Sequence, residues 1–184
     1  KTKESGQDAA PQCCADPKWA ASINDKVIPM PRRHVSESIL RDQGGVPPDH
    51  VIVRDHNSPN DPVIEPGTEV DLARGEVFYS VPRCEVGDHR EPCGAPPKRL
   101  VVVDDCPEIV VRAEQTGKSI RDLFSLKSDV DLFRDRESPN DRRIEPDEGV
   151  DLGEGNVFIT RRASGLKITV NNQVFREADG VHEH

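Results

Sequence analysis

Residues 54–78 read RDHNSPNDPVIEPGTEVDLARGEVF, and residues 134–158 read RDRESPNDRRIEPDEGVDLGEGNVF. At a constant offset of 80 the two stretches agree at 15 of 25 positions. Chance does not supply such agreement, so the chain holds two copies of one folding unit, and this reading precedes any argument about secondary structure. Most of what the copies share is structural punctuation. Ser58-Pro59-Asn60-Asp61 recurs unchanged at 138–141, with Pro at the second turn position and Asn and Asp following it. Glu65-Pro66 stops a short strand, and Gly75 turns the chain before Val77-Phe78. Arg54-Asp55 and Arg134-Asp135 read as solvated strand ends, with a polar contact site as the alternative.

Working outward, Ser38-Ile39 aligns with Ser119-Ile120, with Arg and Asp close behind in both copies. Farther upstream, Asn24-Asp25 and Asp104-Asp105 each interrupt a β-branched run, and Asn171-Asn172 does so a third time. Asn and Asp tolerate the positive φ that two-residue hairpin turns require. Three hairpins are predicted, and the first two lead into full domains.

In copy one the hairpin covers about 20–29, Ser36 caps a helix, and Gly44-Gly45 ends it. Strands follow at 51–53, 63–64 and 77–79. Copy two places strands at 99–103, 108–112, 130–134, 143–144 and 156–160, and a helix near 117–126. One helix over one face of a mixed sheet is the smallest core for this order. A first strand parallel to the last satisfies the backbone at the sheet centre. The predicted fold is α+β: two tandem β-grasp domains plus a C-terminal β-hairpin. The boundaries are a flexible N-terminal segment at 1–18, domains at 19–81 and 99–161, a linker at 82–98, and the hairpin and tail at 162–184. Four Pro and two Gly in the linker read as extended and semi-flexible, leaving the domains free to move unless the cysteines clamp it.

The element order resembles ubiquitin. The tandem arrangement and the IEP-x3-VDL-x2-G-x-VF pattern at 64–78 and 144–158 resemble the bacterial multiubiquitin proteins, in which ubiquitin-like domains are arrayed in one polypeptide. The likeness covers about two-thirds of the chain. It implies a protein tag used beside activating-type and conjugating-type enzymes and a zinc isopeptidase, with anti-phage defence as one setting. It also implies that ATP is used by the activating enzyme, so that this chain needs no cofactor of its own.

Such a tag needs a flexible tail ending in a residue that threads a narrow channel, and glycine does so without a Cβ clash. Gly180, exposed by cleavage before Val181, is the first candidate for the conjugation terminus. Gly165, directly after the last strand of copy two, is the second. In the third hairpin Ile168, Val170, Val174 and Phe175 need burial, because two strands alone are marginal in water. An edge of copy two, a neighbouring molecule in self-assembly, or another protein could supply it. The competing reading is a scaffold or adaptor of tandem domains that is never conjugated.

A net charge of −9 over 184 residues argues against nucleic-acid and membrane-surface partners. Sixteen Pro, 13 Gly, one Trp and one Tyr suit small β-rich cores rather than one large aromatic core. The polar start is no signal peptide, so the five cysteines read as reduced cytoplasmic thiols. The sequence also lacks an initiating Met, which suits a fragment or a processed form. Cys84, His89 and Cys93, with Cys13 and Cys14, form a weaker zinc alternative that lacks the C-x2-C knuckle. No hydrolase, P-loop or dinucleotide motif occurs, so the chain is read as a non-enzyme that acts on target proteins through its partners.

Overall fold

The computed structural model describes residues 15–86, 94–136 and 139–163, and the strand backbone at 167–170 and 173–176. The first unit runs β1 (Trp19–Ile23), β2 (Lys26–Met30), β3 (His34–Ser36), α1 (Glu37–Gly44), β4 (His50–Arg54), β5 (Val63–Ile64), β6 (Glu69–Asp71), a 3-10 turn at Leu72–Arg74, and β7 (Val77–Pro82). The second repeats it as β8 (Arg99–Val103), β9 (Cys106–Val110), β10 (Glu114–Thr116), α2 (Gly117–Leu123), β11 (Val130–Arg134), β12 (Arg142–Ile144), β13 (Gly149–Asp151), a 3-10 turn at Leu152–Glu154, and β14 (Val157–Arg162). The protein is mixed α+β, mostly sheet, with two short helices among the described residues.

The five-stranded sheets have the orders β2-β1-β7-β4-β5 and β12-β11-β14-β8-β9. In each, first and last long strands run parallel: Ser22 and Ile23 pair with Val77 and Phe78, and Val102 and Val103 with Val157 and Phe158. All other pairs in these sheets are antiparallel. Each unit also has a two-stranded ladder that the local pattern did not reveal, β3 with β6 and β10 with β13.

The hairpin turns obey the Asx reading. Asn24, Asp25, Asp104 and Asp105 have φ of 50, 63, 48 and 64°, the signature of the turn whose twist matches the flanking strands. Ser36 caps α1 by accepting the Ile39 N–H at 3.3 Å, and Gly45 closes it at φ 64°. Thr116 and Ser119 form a capping box on α2. That helix stops at Leu123 rather than 126, because Ser125, 80 residues after Gly45, takes the left-handed conformation at φ 51°.

The helices correct one alignment. Buried Leu40 and Ile120 are equivalent, as are the caps Ser36 and Thr116. The offset stays at 80 throughout, and the Ser38-Ile39 match to Ser119-Ile120 is one residue out. Inward-facing residues, such as Ile23, Leu40, Ile52 and Phe78 in unit one and Val103, Ile120, Leu132 and Phe158 in unit two, fill separate cores.

A third apolar cluster joins the units. Ala20, Val77, Leu100 and Val102 are buried together, with Val27 and Val157 against them. Alternation along a strand makes this necessary: with Trp19, Ala21 and Ile23 in their own core, Ala20 faces the other way. All five residues of β1 and of β8 are buried. The expectation of independently moving domains is therefore corrected, because the units share a packed seam.

β15 (Lys167–Val170) and β16 (Gln173–Arg176) pair as a separate two-stranded sheet. Ile168 stands opposite Phe175, Val170 opposite Gln173 and Thr169 opposite Val174. The side chains of Ile168, Val170, Val174 and Phe175, read as needing burial, lie outside the described residues. Among the described residues no helix is long and apolar enough to cross a membrane.

Candidate functional site

The seam obeys an approximate twofold relation between the units. Before β1, the Lys18 N–H donates to the Asp135 carbonyl at 3.0 Å; before β8, the Lys98 N–H donates to the Asp55 carbonyl at 2.8 Å. The lysine side chains pair with the same aspartates, at 3.1 and 2.7 Å. A Cβ at Gly155 would lie 2.6 Å from Pro17, and one at Gly75 would lie 2.7 Å from Pro97. Their φ values are 114 and 131°. These glycines, read from sequence as simple turns, are where the lead-in of one unit crosses the backbone of the other. Lys98 and Pro97 thereby fix the end of the segment read as a semi-flexible linker.

Departures from the twofold are concentrated in buried polar groups. Asn156 is fully buried in unit two. Its Oδ1 accepts the Ala20 N–H at 3.0 Å, and its Nδ2 donates to the carbonyls of Ala20 and Leu100 at 2.9 and 3.1 Å. The equivalent residue in unit one is Glu76, also fully buried. Arg99 donates to it from Nε at 2.9 Å and Nη2 at 2.6 Å, and the Leu100 N–H donates at 3.2 Å. The equivalent of Arg99 is Trp19. Charge meets charge on one side of the seam, and a neutral amide stands opposite it on the other.

Burial pushes the Glu76 carboxyl from its ordinary 4.5 up to about 7, against the lowering effect of the Arg99 hydrogen bonds. The folded state then holds this proton more tightly than the unfolded chain between those values. Stability contributed by this group therefore falls as pH rises from about 4.5 to about 7 and is level above. Asp71, held down to about 2 first by its hydrogen bond to Arg33, acts in the opposite sense and at lower pH. Denaturant titrations across pH 5–8 will show a falling contribution that Glu76→Gln removes. An unchanged slope in that variant would assign the titration elsewhere.

The shared arginines correct a second expectation. Arg134 is 1% exposed, not solvated. It lies over the Phe158 ring at 5.4 Å and donates to the carbonyls of Gly155 and Asp151 at 2.9 and 3.0 Å. Arg54 repeats this over Phe78 at 5.5 Å, with Nη2 on the Asp71 carbonyl at 3.0 Å. Each clamps the 3-10 turn behind the shared VDL residues. Arg134→Ala will cost about 2–4 kcal/mol in unfolding free energy, and the more exposed Arg54 less, because buried carbonyls lose donors and a cavity opens.

The Ser-Pro-Asn-Asp loop has an internal explanation. In copy one, Asp61 Oδ1 accepts the N–H groups of His56 and Ser58 at 3.0 and 3.3 Å, and Oδ2 accepts the Tyr79 hydroxyl at 3.0 Å. In copy two, Asp141 accepts the Arg136 N–H at 2.9 Å and pairs with Arg161.

No protein-family model and no curated protein matches this chain. The residues singled out for conjugation, Gly165, Gly180 and Val181, lie outside the described residues, as do Cys13, Cys14, His89 and Cys93. Cys84 is an exposed free thiol. Among the described residues no group of three or more His, Cys, Asp and Glu could hold a metal ion. The seam residues Glu76, Arg99 and Asn156 were missed from sequence. The available signal was a charge pair that breaks the repeat while its surroundings keep it.

Proposed function

We propose that the chain is a ubiquitin-like protein modifier built from tandem β-grasp domains, activated at a C-terminal glycine and joined to targets by partner activating-type and conjugating-type enzymes. The observation that carries the reading is the sheet order, found twice: a central parallel pair of first and last strands, flanked by antiparallel neighbours, with one short helix between the second and third long strands. That order supports the β-grasp resemblance, and with it the tag-like role. On this reading the chain supplies no catalytic residue, and the adenylation consumes ATP at the activating enzyme. The zinc isopeptidase removes residues or tags, and bacterial cytoplasm and phage defence are the setting the resemblance implies.

Co-expression with activating- and conjugating-type enzymes, followed by intact-mass measurement, tests the proposal. Covalent adducts that disappear with Gly180→Arg support that terminus, and loss with Gly165→Arg alone moves it to the second candidate. A mass that remains that of the unmodified chain, with no adduct, rejects the modifier reading.

A second reading, a scaffold or adaptor that is never conjugated, is favoured by the seam. Its hydrophobic cluster, buried ion pair and buried amide set the units in one arrangement, which a string of separate tags does not require.

A further inference from the structure

A cleft of about 630 Å³ opens at one edge of the seam, lined from unit one by Trp19, Arg32 and Arg33 and from unit two by Arg136 and Arg142. Asp16, His34 and Glu154 complete the charged lining. Arg33 is taken by Asp71 through Nε and Nη2 at 2.7 and 2.8 Å. Arg142 is taken by Glu148 at 2.5 Å. Glu154 favours the charged form of buried Arg134, against the effect of burial, and with Asp16 it places two carboxylates in the lining. Arg32 and Arg136 have no carboxylate partner among the described residues. Arg32 donates from Nε to the His34 carbonyl at 3.0 Å, and Arg136 from Nη1 to the Ala15 carbonyl at 3.1 Å. Among the described residues both Nη groups of Arg32 and Nη2 of Arg136 are without a partner, whereas Arg136 Nε is buried without one.

The twofold supplies an internal comparison. Eighty residues from Arg33, His34, Arg136 and Arg142 stand Ala113, Glu114, His56 and Pro62. Arg32 alone recurs, as Arg112, so the shared fold does not need the rest of the cluster, and only one edge of the seam carries it whole. An acidic chain thus gathers four arginines in one cleft between two units, with Asp16 and Glu154 as the carboxylates in the same lining, and such a cleft is a preferred location for a ligand.

We propose that this cleft binds a small phosphate-bearing ligand, with Arg32 and Arg136 gripping its oxygens from opposite units. The chemistry follows from what already occupies the neighbouring arginines. One carboxylate saturates one arginine fork, as Asp71 does for Arg33. Two guanidinium groups, each partly used by a backbone carbonyl and each with an Nη2 group left over, line one cavity and call for an anion with several acceptor oxygens, which a phosphoryl or pyrophosphoryl group supplies. The volume accommodates an organic body beyond the phosphate.

Trp19 is the sole tryptophan of the chain and touches the cleft from the edge of the unit-one core, so its fluorescence reports changes there. Titration of the full chain with inorganic pyrophosphate, and separately with a nucleoside diphosphate, will give a saturable change at physiological ionic strength. Arg136→Gln and Arg32→Gln will each weaken it at least about tenfold. Arg112→Gln, at the equivalent position of the other unit, will leave it unchanged. Far-ultraviolet dichroism identical to the parent's will establish that the variants are folded. Binding of pyrophosphate alone supports recognition of the phosphate group; binding of the nucleoside diphosphate only supports added contacts to the organic body. No saturable change with either, equal binding of a dicarboxylate, or retained affinity in both glutamine variants would each overturn the proposal. None of these readouts depends on conjugation.

Discussion

Glu76→Ala will lower the unfolding free energy by about 3–5 kcal/mol at pH 8, because it strands the Arg99 guanidinium in the seam without a counter-charge. The carboxylate is fully buried and Arg99 is 4% exposed, so water cannot replace what is lost. Arg99→Ala will cost a similar amount for the converse reason. Replacing both by leucine will recover most of the loss, because the pair's attraction is largely offset by the cost of removing two charges from water. Denaturant unfolding of the four proteins measures all of this. A single-variant cost below about 1 kcal/mol would mean that the pair behaves as an exposed one. What the pair then supplies is register. A charge on one side and the Asn156 amide on the other distinguish two otherwise similar units and admit one docking.

Gly155→Ala and Gly75→Ala will each cost about 2–5 kcal/mol, the sum of a strained positive φ and an overpacked crossing. In either variant a methyl group would meet a proline ring, from Pro17 or Pro97, at well under van der Waals distance. The lead-in segment must lift, taking the Lys18–Asp135 or Lys98–Asp55 contacts with it. Trp19 fluorescence, read beside denaturant unfolding, will register opening of the seam in Gly155→Ala. Gly149→Ala is the control: it has open space around the added carbon and no unusual φ, and it will change stability by less than about 0.5 kcal/mol. Equal effects at Gly149 and Gly155 would dismiss the crossing as the cause.

The two results bear on function together. A modifier needs its tail free and its domains folded, and both survive a loosened seam. A scaffold needs the arrangement itself. Variants that open the seam while leaving each core intact therefore separate the two readings: adduct formation should persist, and any activity that depends on geometry should not.

The repeat, the hairpin turns, the Ser36 cap and the Gly45 stop were legible from residue order, because each is set by neighbours a few positions apart. Asx residues adopt positive φ wherever a tight turn asks for it, and an offset of 80 needs no coordinates to be counted. Reading failed where a local likeness competed with a distant constraint. Ser38-Ile39 looked like Ser119-Ile120, but burial of Leu40 and Ile120 sets the helix register. Arg54 and Arg134 looked like solvated ends until Phe78 and Phe158 were placed beneath them. Asn156 and Ala20 are 136 positions apart, and nothing in either neighbourhood announces the bond. Short-range chemistry thus specified the units. Their docking, the role of Glu76 and the clustering of arginines in one cleft came from strands whose second face had no partner within its own unit and found one in the other.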